Sequence, residues 1–250
     1  MSKIYVWFKT NKLKVIIEKS NYMNFSPNEP NDNFTVALQD NFLMNVKSVK
    51  YLGIYIQNNL KWDMLIKTRI KSLFKLKHLF KYLIHYIDIY KLLLLYRSLF
   101  VSCLVCGIEV FSNLPKFLIH KLQTIQNKFF KIILKVNCRT PTLDLPKSSE
   151  ILLIEDLITF RQCVFIFDLM KNRSKINYGI ISSFKTNEFT HGYDTRNKDS
   201  IHLEKYSSCK SKMIINIWSL SWNKLSKELK QTTDRNVFKM QLFKSIINNY

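Results

Sequence analysis

Residues 63–84 read DMLIKTRIKSLFKLKHLFKYLI. On a helix, at ~100° per residue, Ile66, Ile70, Leu73, Phe80 and Ile84 fall on one face. Lys67, Lys71, Lys75, His78 and Lys81 fall on roughly the opposite face. The stretch therefore predicts a long amphipathic helix with an apolar stripe for a core and a lysine face for something else. Lysines at i, i+4 repel one another in an isolated helix. A polyanion alongside relieves that repulsion, and so does simple solvation of an outer face.

Upstream of this helix the period is shorter. Residues 4–13 read as the end of a helix, and Val15–Ile17 and Tyr22–Phe25 as short strands. Pro27–Asn33 is rich in turn formers. Phe34–Leu38 and Val49–Ile56 alternate like strands, and Gly53 inside the second suggests a bulge or a close backbone approach. Downstream, Asp88–Val105 is apolar nearly all round and is expected to be the most buried helix. Pro115 precedes a helix over residues 116–135 with the core stripe Leu118, Leu122, Ile125, Phe129 and Ile132, beside Lys121, Lys128, Lys131 and Lys135. Asn137–Ser149 carries Pro141 and Pro146 and reads as a long turn or linker. Further helices are predicted over 154–170, 212–229 and 235–249, with an irregular stretch over 172–200. The fold class is α+β, mostly α: residues 1–62 hold a small hairpin region, 63–136 basic helices, and 137–250 a further helical region.

Composition bounds the function. The chain has 250 residues, 39 Lys plus Arg against 18 Asp plus Glu, and a formal net charge of +21. Such a surplus attracts phosphate backbones or anionic headgroups. An AT-rich coding sequence also favours Lys, Asn and Ile, and Ala37 is the only alanine. That bias raises Glu as readily as Lys, so nucleic-acid contact is the preferred reading. With 4 Gly and 5 Pro, collagen-like and linker compositions are excluded. Lys3, Lys9, Lys12 and Lys14 interrupt any secretory core, and Arg97 and Glu109 break the most apolar window, Leu92–Phe111. The expectation is an intracellular protein, nuclear or cytoplasmic, not secreted and without a membrane partner. Cys103, Cys106, Cys138, Cys163 and Cys209 then stand as free thiols.

Catalytic signatures are absent from the sequence. Cys103 and Cys106 form a lone CxxC with no second ligand pair, and read as two small residues inside a buried helix. There is no HExxH, GxSxG or phosphate-binding glycine loop. A two-metal polymerase or nuclease site needs converging carboxylates. No Asp-Asp pair occurs, and Glu155-Asp156 reads as favourable charge at the start of a helix.

Eight segments, in order, carry a resemblance. Trp7–Leu13 (WFKTNKL), Glu18–Phe25 (EKSNYMNF), Val49–Ile56 (VKYLGIYI) and Leu60–Trp62 (LKW) are followed by Leu122–Lys128 (LQTIQNK). His191–Arg196 (HGYDTR), Trp222–Leu225 (WNKL) and Phe238–Tyr250 complete the series. Together they resemble the C-terminal part of reverse transcriptases from non-LTR (LINE-type, jockey-like) retrotransposons. Some positions depart from that pattern: Gln57 stands where the family has an acidic residue and Ser226 where it has Pro.

The resemblance implies a palm edge with a primer-grip hairpin at Tyr51, Leu52 and Gly53, then thumb helices that track a template–primer duplex along its phosphates. Lys19, Lys50, Lys67, Lys71, Lys75, Lys81, Lys128, Lys131 and Arg196 are the implied nucleic-acid contacts. The family's paired catalytic aspartates would lie ahead of Met1. The chain is therefore expected to bind RNA or DNA template–primer without polymerising on its own. It would need no cofactor, since the divalent metal (Mg) belongs to the complete parent enzyme. A stand-alone basic helical module for RNA or DNA, and an inert relic, are the alternatives.

Overall fold

Helix α1 (Ser2–Thr10) opens the chain and ends where Lys12 turns to positive φ and Leu13 N–H returns to the Phe8 carbonyl. The computed structural model describes residues 2–26, 35–38, 41–111, 114–137, 139–141, 146, 149–171, 184–187, 200–203 and 214–249. These form a mixed α+β structure, mostly helical, in two units, 1–68 and 69–250. The helices predicted on either side of Asn137–Ser149 thus share one unit.

In the first unit, residues 15–17 form no strand; Ile17–Lys19 is a single 3₁₀ turn. The β-branched run there finds no ladder partner, and propensity alone does not make a strand. The following strand, β1 (Asn21–Tyr22), pairs in parallel with β4 (Met44–Asn45). Between them β2 (Ala37–Leu38) pairs antiparallel with β3 (Asn41–Phe42). The regular piece is the hairpin of β5 (Ser48–Tyr51) and β6 (Ile54–Gln57), in register from Ser48 opposite Gln57 to Tyr51 opposite Ile54. Gly53 is therefore a turn residue, not an interior strand residue. No atom lies within 4 Å of where a side chain would begin, so conformation and not close approach requires glycine.

Helix α2 (Asp63–Leu83) matches the predicted span. Its start is capped from the hairpin: the Gln57 side-chain carbonyl accepts the Met64 N–H at 2.9 Å. An amide thus satisfies one of the four orphan donors that an acidic side chain at this position would also satisfy.

In the second unit Asp88 caps α3 (Ile89–Leu95) by accepting the Lys91 N–H at 2.8 Å. A π-helical turn, Tyr96–Val101, continues it into α4 (Ser102–Val105). This rod is one-sided: Leu92, Tyr96, Phe100 and Leu104 are buried, while Ile89, Tyr90 and Leu94 are exposed. The expectation of an all-round buried helix fails, because apolar composition says nothing about which faces find partners. After α5 (Ile108–Phe111) comes α6 (Lys116–Ile133). Phe80, Tyr96, Phe100, Phe129 and Phe130 form an aromatic core here. Tyr96 stacks on Phe100 at 4.6 Å, and Phe129 meets both Phe80 and Phe100 edge-on at 5.1 and 4.7 Å.

The deeply buried helix is α7 (Ile154–Lys171), with buried residues around most of its circumference. It packs against α5, α6 and two later helices, α8 (Ile214–Asn223) and α10 (Arg235–Ile247). The predicted 212–229 helix is in fact two, α8 and α9 (Lys227–Gln231), because Ser226 is an N-cap whose hydroxyl accepts the Leu229 N–H. Phe167, Trp218, Trp222 and Phe238 join Cys163 in this second part of the core, with Phe167 stacked on Phe238 at 4.4 Å. Two carboxylate–arginine pairs brace it: Glu109 with Arg161 at 2.9 Å, and Asp168 with Arg235 through two bonds of 2.7 and 2.8 Å. The Asp168 bonds hold the Arg235 guanidinium above its usual basicity. Among the described residues no helix is long and apolar enough to cross a membrane.

Candidate nucleic-acid interface

The hairpin tip in the first unit turns through Leu52 (φ 46°) and Gly53 (φ 84°). Two consecutive positive φ values are the type I′ pattern, which Asn-Gly fits and leucine does not. Leu52 is nonetheless 81% exposed and Tyr51 63%, so burial does not compensate the strained conformation. Lys50, beside the tip, lies over the Tyr55 ring at 5.8 Å. Lys19 and Lys67 are exposed in the same unit.

In the second unit Lys71, Lys75 and Lys81 are exposed along α2, and Lys128 is exposed on α6. The two helices meet through Phe80 and Phe129. That packing brings their basic edges together around Phe74: Lys77 Nζ lies 5.4 Å from its ring centre and Lys128 Nζ 5.9 Å. Lys77 is held below its ordinary pKa by partial burial first, and then by the charges of Lys81 and Lys128. The cluster therefore exists at an electrostatic cost in the free protein. Lys71, Lys75, Lys77 and Lys81 have no carboxylate partner among the described residues, whose ion pairs lie elsewhere. Asp63 is the single carboxylate of α2.

Lys131 is half-buried and has interactions of its own within the protein. Arg196, with the rest of His191–Arg196, lies outside the described residues, as do Pro27–Asn33, Cys138, Cys209 and most of 142–148. The structure thus gathers Lys81 and Lys128, while Lys19, Lys50, Lys67 and the hairpin tip belong to the other unit.

Two members of the cluster escape the sequence reading. Phe74 and Lys77, at i, i+3, are legible as a helix pair. That Lys128 shares the same ring is a tertiary fact with no local signal.

Several polar residues within the resembling segments turn out to be structural. Gln126 is buried and donates from Nε2 to both the Tyr96 hydroxyl (2.9 Å) and the Leu152 carbonyl (2.8 Å). Gln123 accepts the Ile154 N–H at 2.9 Å, capping α7, and donates to Asn127. Asn223 makes a two-bond clasp on the Ile201 backbone at 2.8 and 2.9 Å.

No group of three or more ligating side chains occurs among the described residues. Cys106 is the exposed C-cap of α4, and its carbonyl accepts from Arg69 at 3.2 Å; Cys103 is half-buried beside the same guanidinium. Only part of the expected burial is met.

No family model matches the sequence, and no curated protein or solved structure is significantly similar to it.

Proposed function

We propose that the chain is a reverse-transcriptase-derived protein of a mobile element, similar to the C-terminal part of the non-LTR enzymes. It binds template–primer nucleic acid through backbone phosphates. The parent activity is RNA-directed DNA polymerisation, and the paired aspartates for it are not among these 250 residues. The chain is then not an enzyme by itself, and divalent metal enters only with the complete catalytic palm.

The observation that carries this reading is the Lys77, Lys81 and Lys128 cluster, continued along α2 by Lys71 and Lys75. Lys77 is depressed by partial burial and by the Lys81 and Lys128 charges, and among the described residues no carboxylate pairs with these lysines, so a polyanion stabilises them. Evenly spaced lysines address phosphates and not base edges, which suits a surface that follows a duplex of any sequence.

Titrating a hybrid RNA–DNA duplex into the full chain at several salt concentrations tests the reading. Log affinity should fall linearly with log salt, and Lys71→Ala with Lys75→Ala should shallow the slope by about one per lysine. Absence of affinity at low ionic strength would overturn it.

A stand-alone basic module is the second reading, favoured by the fact that the lysine cluster lies wholly in the second unit. The hairpin separates the two. A Gly53→Val change should weaken binding of a recessed primer end only if the tip takes part.

A further inference from the structure

The lysine face of α2 ends in a pair of exposed tyrosines. Continued by helical steps from Lys71 and Lys75 through His78, it runs into Tyr82 and then Tyr86, held just past the helix by its N–H to the Leu83 carbonyl. Tyr82 is 61% exposed and Tyr86 68%, a burial pattern that no core role explains. Their ring centres are 4.9 Å apart with planes 40° from parallel. The neighbouring Tyr82 side chain also holds the Tyr86 phenol above its ordinary pKa. The nearest carboxylate in sequence, Asp88, is occupied in capping α3 and pairing with Lys91 at 3.0 Å.

We propose that Tyr82 and Tyr86 form a stacking platform for unpaired nucleotides, where a single strand leaving the duplex lays its bases on the rings while Lys71 and Lys75 hold the adjoining phosphates. The inference rests on the nucleic-acid reading above and adds to it a second class of substrate, the single strand.

Charge complementarity selects the occupant. The platform continues a row of cations with no carboxylate partner among the described residues, which an apolar peptide or a second copy of this basic chain would leave unsatisfied or repel. Flat, exposed aromatic rings beside a phosphate-binding row suit bases of any identity, because every base offers a π face.

The experiment uses the full chain and three probes: a blunt hybrid duplex, the same duplex with an unpaired oligothymidine tail, and the same with a tail of abasic sugar-phosphate. The wild-type protein should bind the thymidine-tailed probe about tenfold or more tighter than the abasic-tailed one. Tyr82→Leu with Tyr86→Leu should erase that difference and leave blunt-duplex affinity unchanged. Tyr82→Phe with Tyr86→Phe should retain it, since the rings persist. The abasic arm needs no variant, so the outcome does not depend on whether the leucine protein folds. Equal affinity for both tails in the wild type overturns the platform and leaves duplex binding standing. Loss of all binding overturns both. Self-association of the wild type that the leucine variant abolishes, seen by sedimentation, assigns the tyrosines to a protein interface and likewise overturns the proposal.

Discussion

Gln126 Nε2 lies 2.9 Å from the Tyr96 hydroxyl and 2.8 Å from the Leu152 carbonyl, so one buried amide ties α6 to the π-helical turn and to the approach of α7. Both bonds are buried, since Gln126, Tyr96 and Leu152 are all nearly inaccessible. Gln126→Ala should cost about 2–4 kcal/mol, from two lost bonds, a cavity and a stranded carbonyl. Tyr96→Phe removes one oxygen from the same arrangement and should cost about 1 kcal/mol. Urea unfolding followed by circular dichroism, with the slope unchanged between variants, measures both.

The hairpin tip should separate stability from binding. Leu52→Asn suits the positive φ at that position and should stabilise by about 0.5–1 kcal/mol. Gly53→Ala meets no clash yet must take φ 84°, and should destabilise by about 1 kcal/mol. If the tip touches a primer end, Leu52→Asn raises the melting temperature while weakening a recessed-primer probe relative to a blunt one.

Lys77 gives the lysine cluster a pH signature. Its folded-state pKa lies below the ordinary 10.5, so in the window between the two the unfolded chain holds more protons than the folded one. Stability from this group therefore rises as pH climbs through that window. Bound polyanion reverses the depression and should draw protons onto the cluster. Carbon-detected NMR of the lysine ε-positions should show Lys77 titrating below most lysines, with Lys239, lowered by its own partial burial beside Arg235, as a second low titration away from the cluster. The Lys77 midpoint should move upward with hybrid duplex, and also in the Lys81→Ala, Lys128→Ala protein.

The thiols should divide by environment. Burial pushes Cys163 up to about 12, with no thiolate to react near neutrality, whereas Cys106 is exposed. Mass-mapped alkylation at pH 8 should label Cys106 in the native protein. Cys163 should be labelled only once denaturant unfolds the second unit.

What was legible in the sequence follows from where each signal resides. Helices α2 and α6 announce themselves because a single face must be apolar over five or six turns, and the structure places both within a residue or two of the expected bounds. The hairpin is visible through its alternation, but its turn is not, since Leu-Gly is a poor type I′ pair. The strand expected at Val15–Ile17 failed because a strand is a property of two segments. The exposed side of α3 and the core position of α7 depend on which neighbours arrive, which hydropathy does not encode. Gln126 and Lys128 are the clearest cases: two positions apart on one helix and so on nearly opposite sides of it, one drawn inward by a tyrosine thirty positions earlier, the other outward to share Phe74.

The π-helical turn at Tyr96–Val101 has an implication for chain length. On an unbroken α-helix Leu92 and Leu104 would point about 120° apart. Both are nevertheless buried, because the widened turn absorbs one surplus residue. The segment thus has the form of an ordinary helix that has gained a single amino acid and stored it as a loop in the spiral. Deleting Ser98, exposed on the outer side, should let the spiral close without rotating Leu104 out of place, whereas adding a residue there would leave nothing to absorb it.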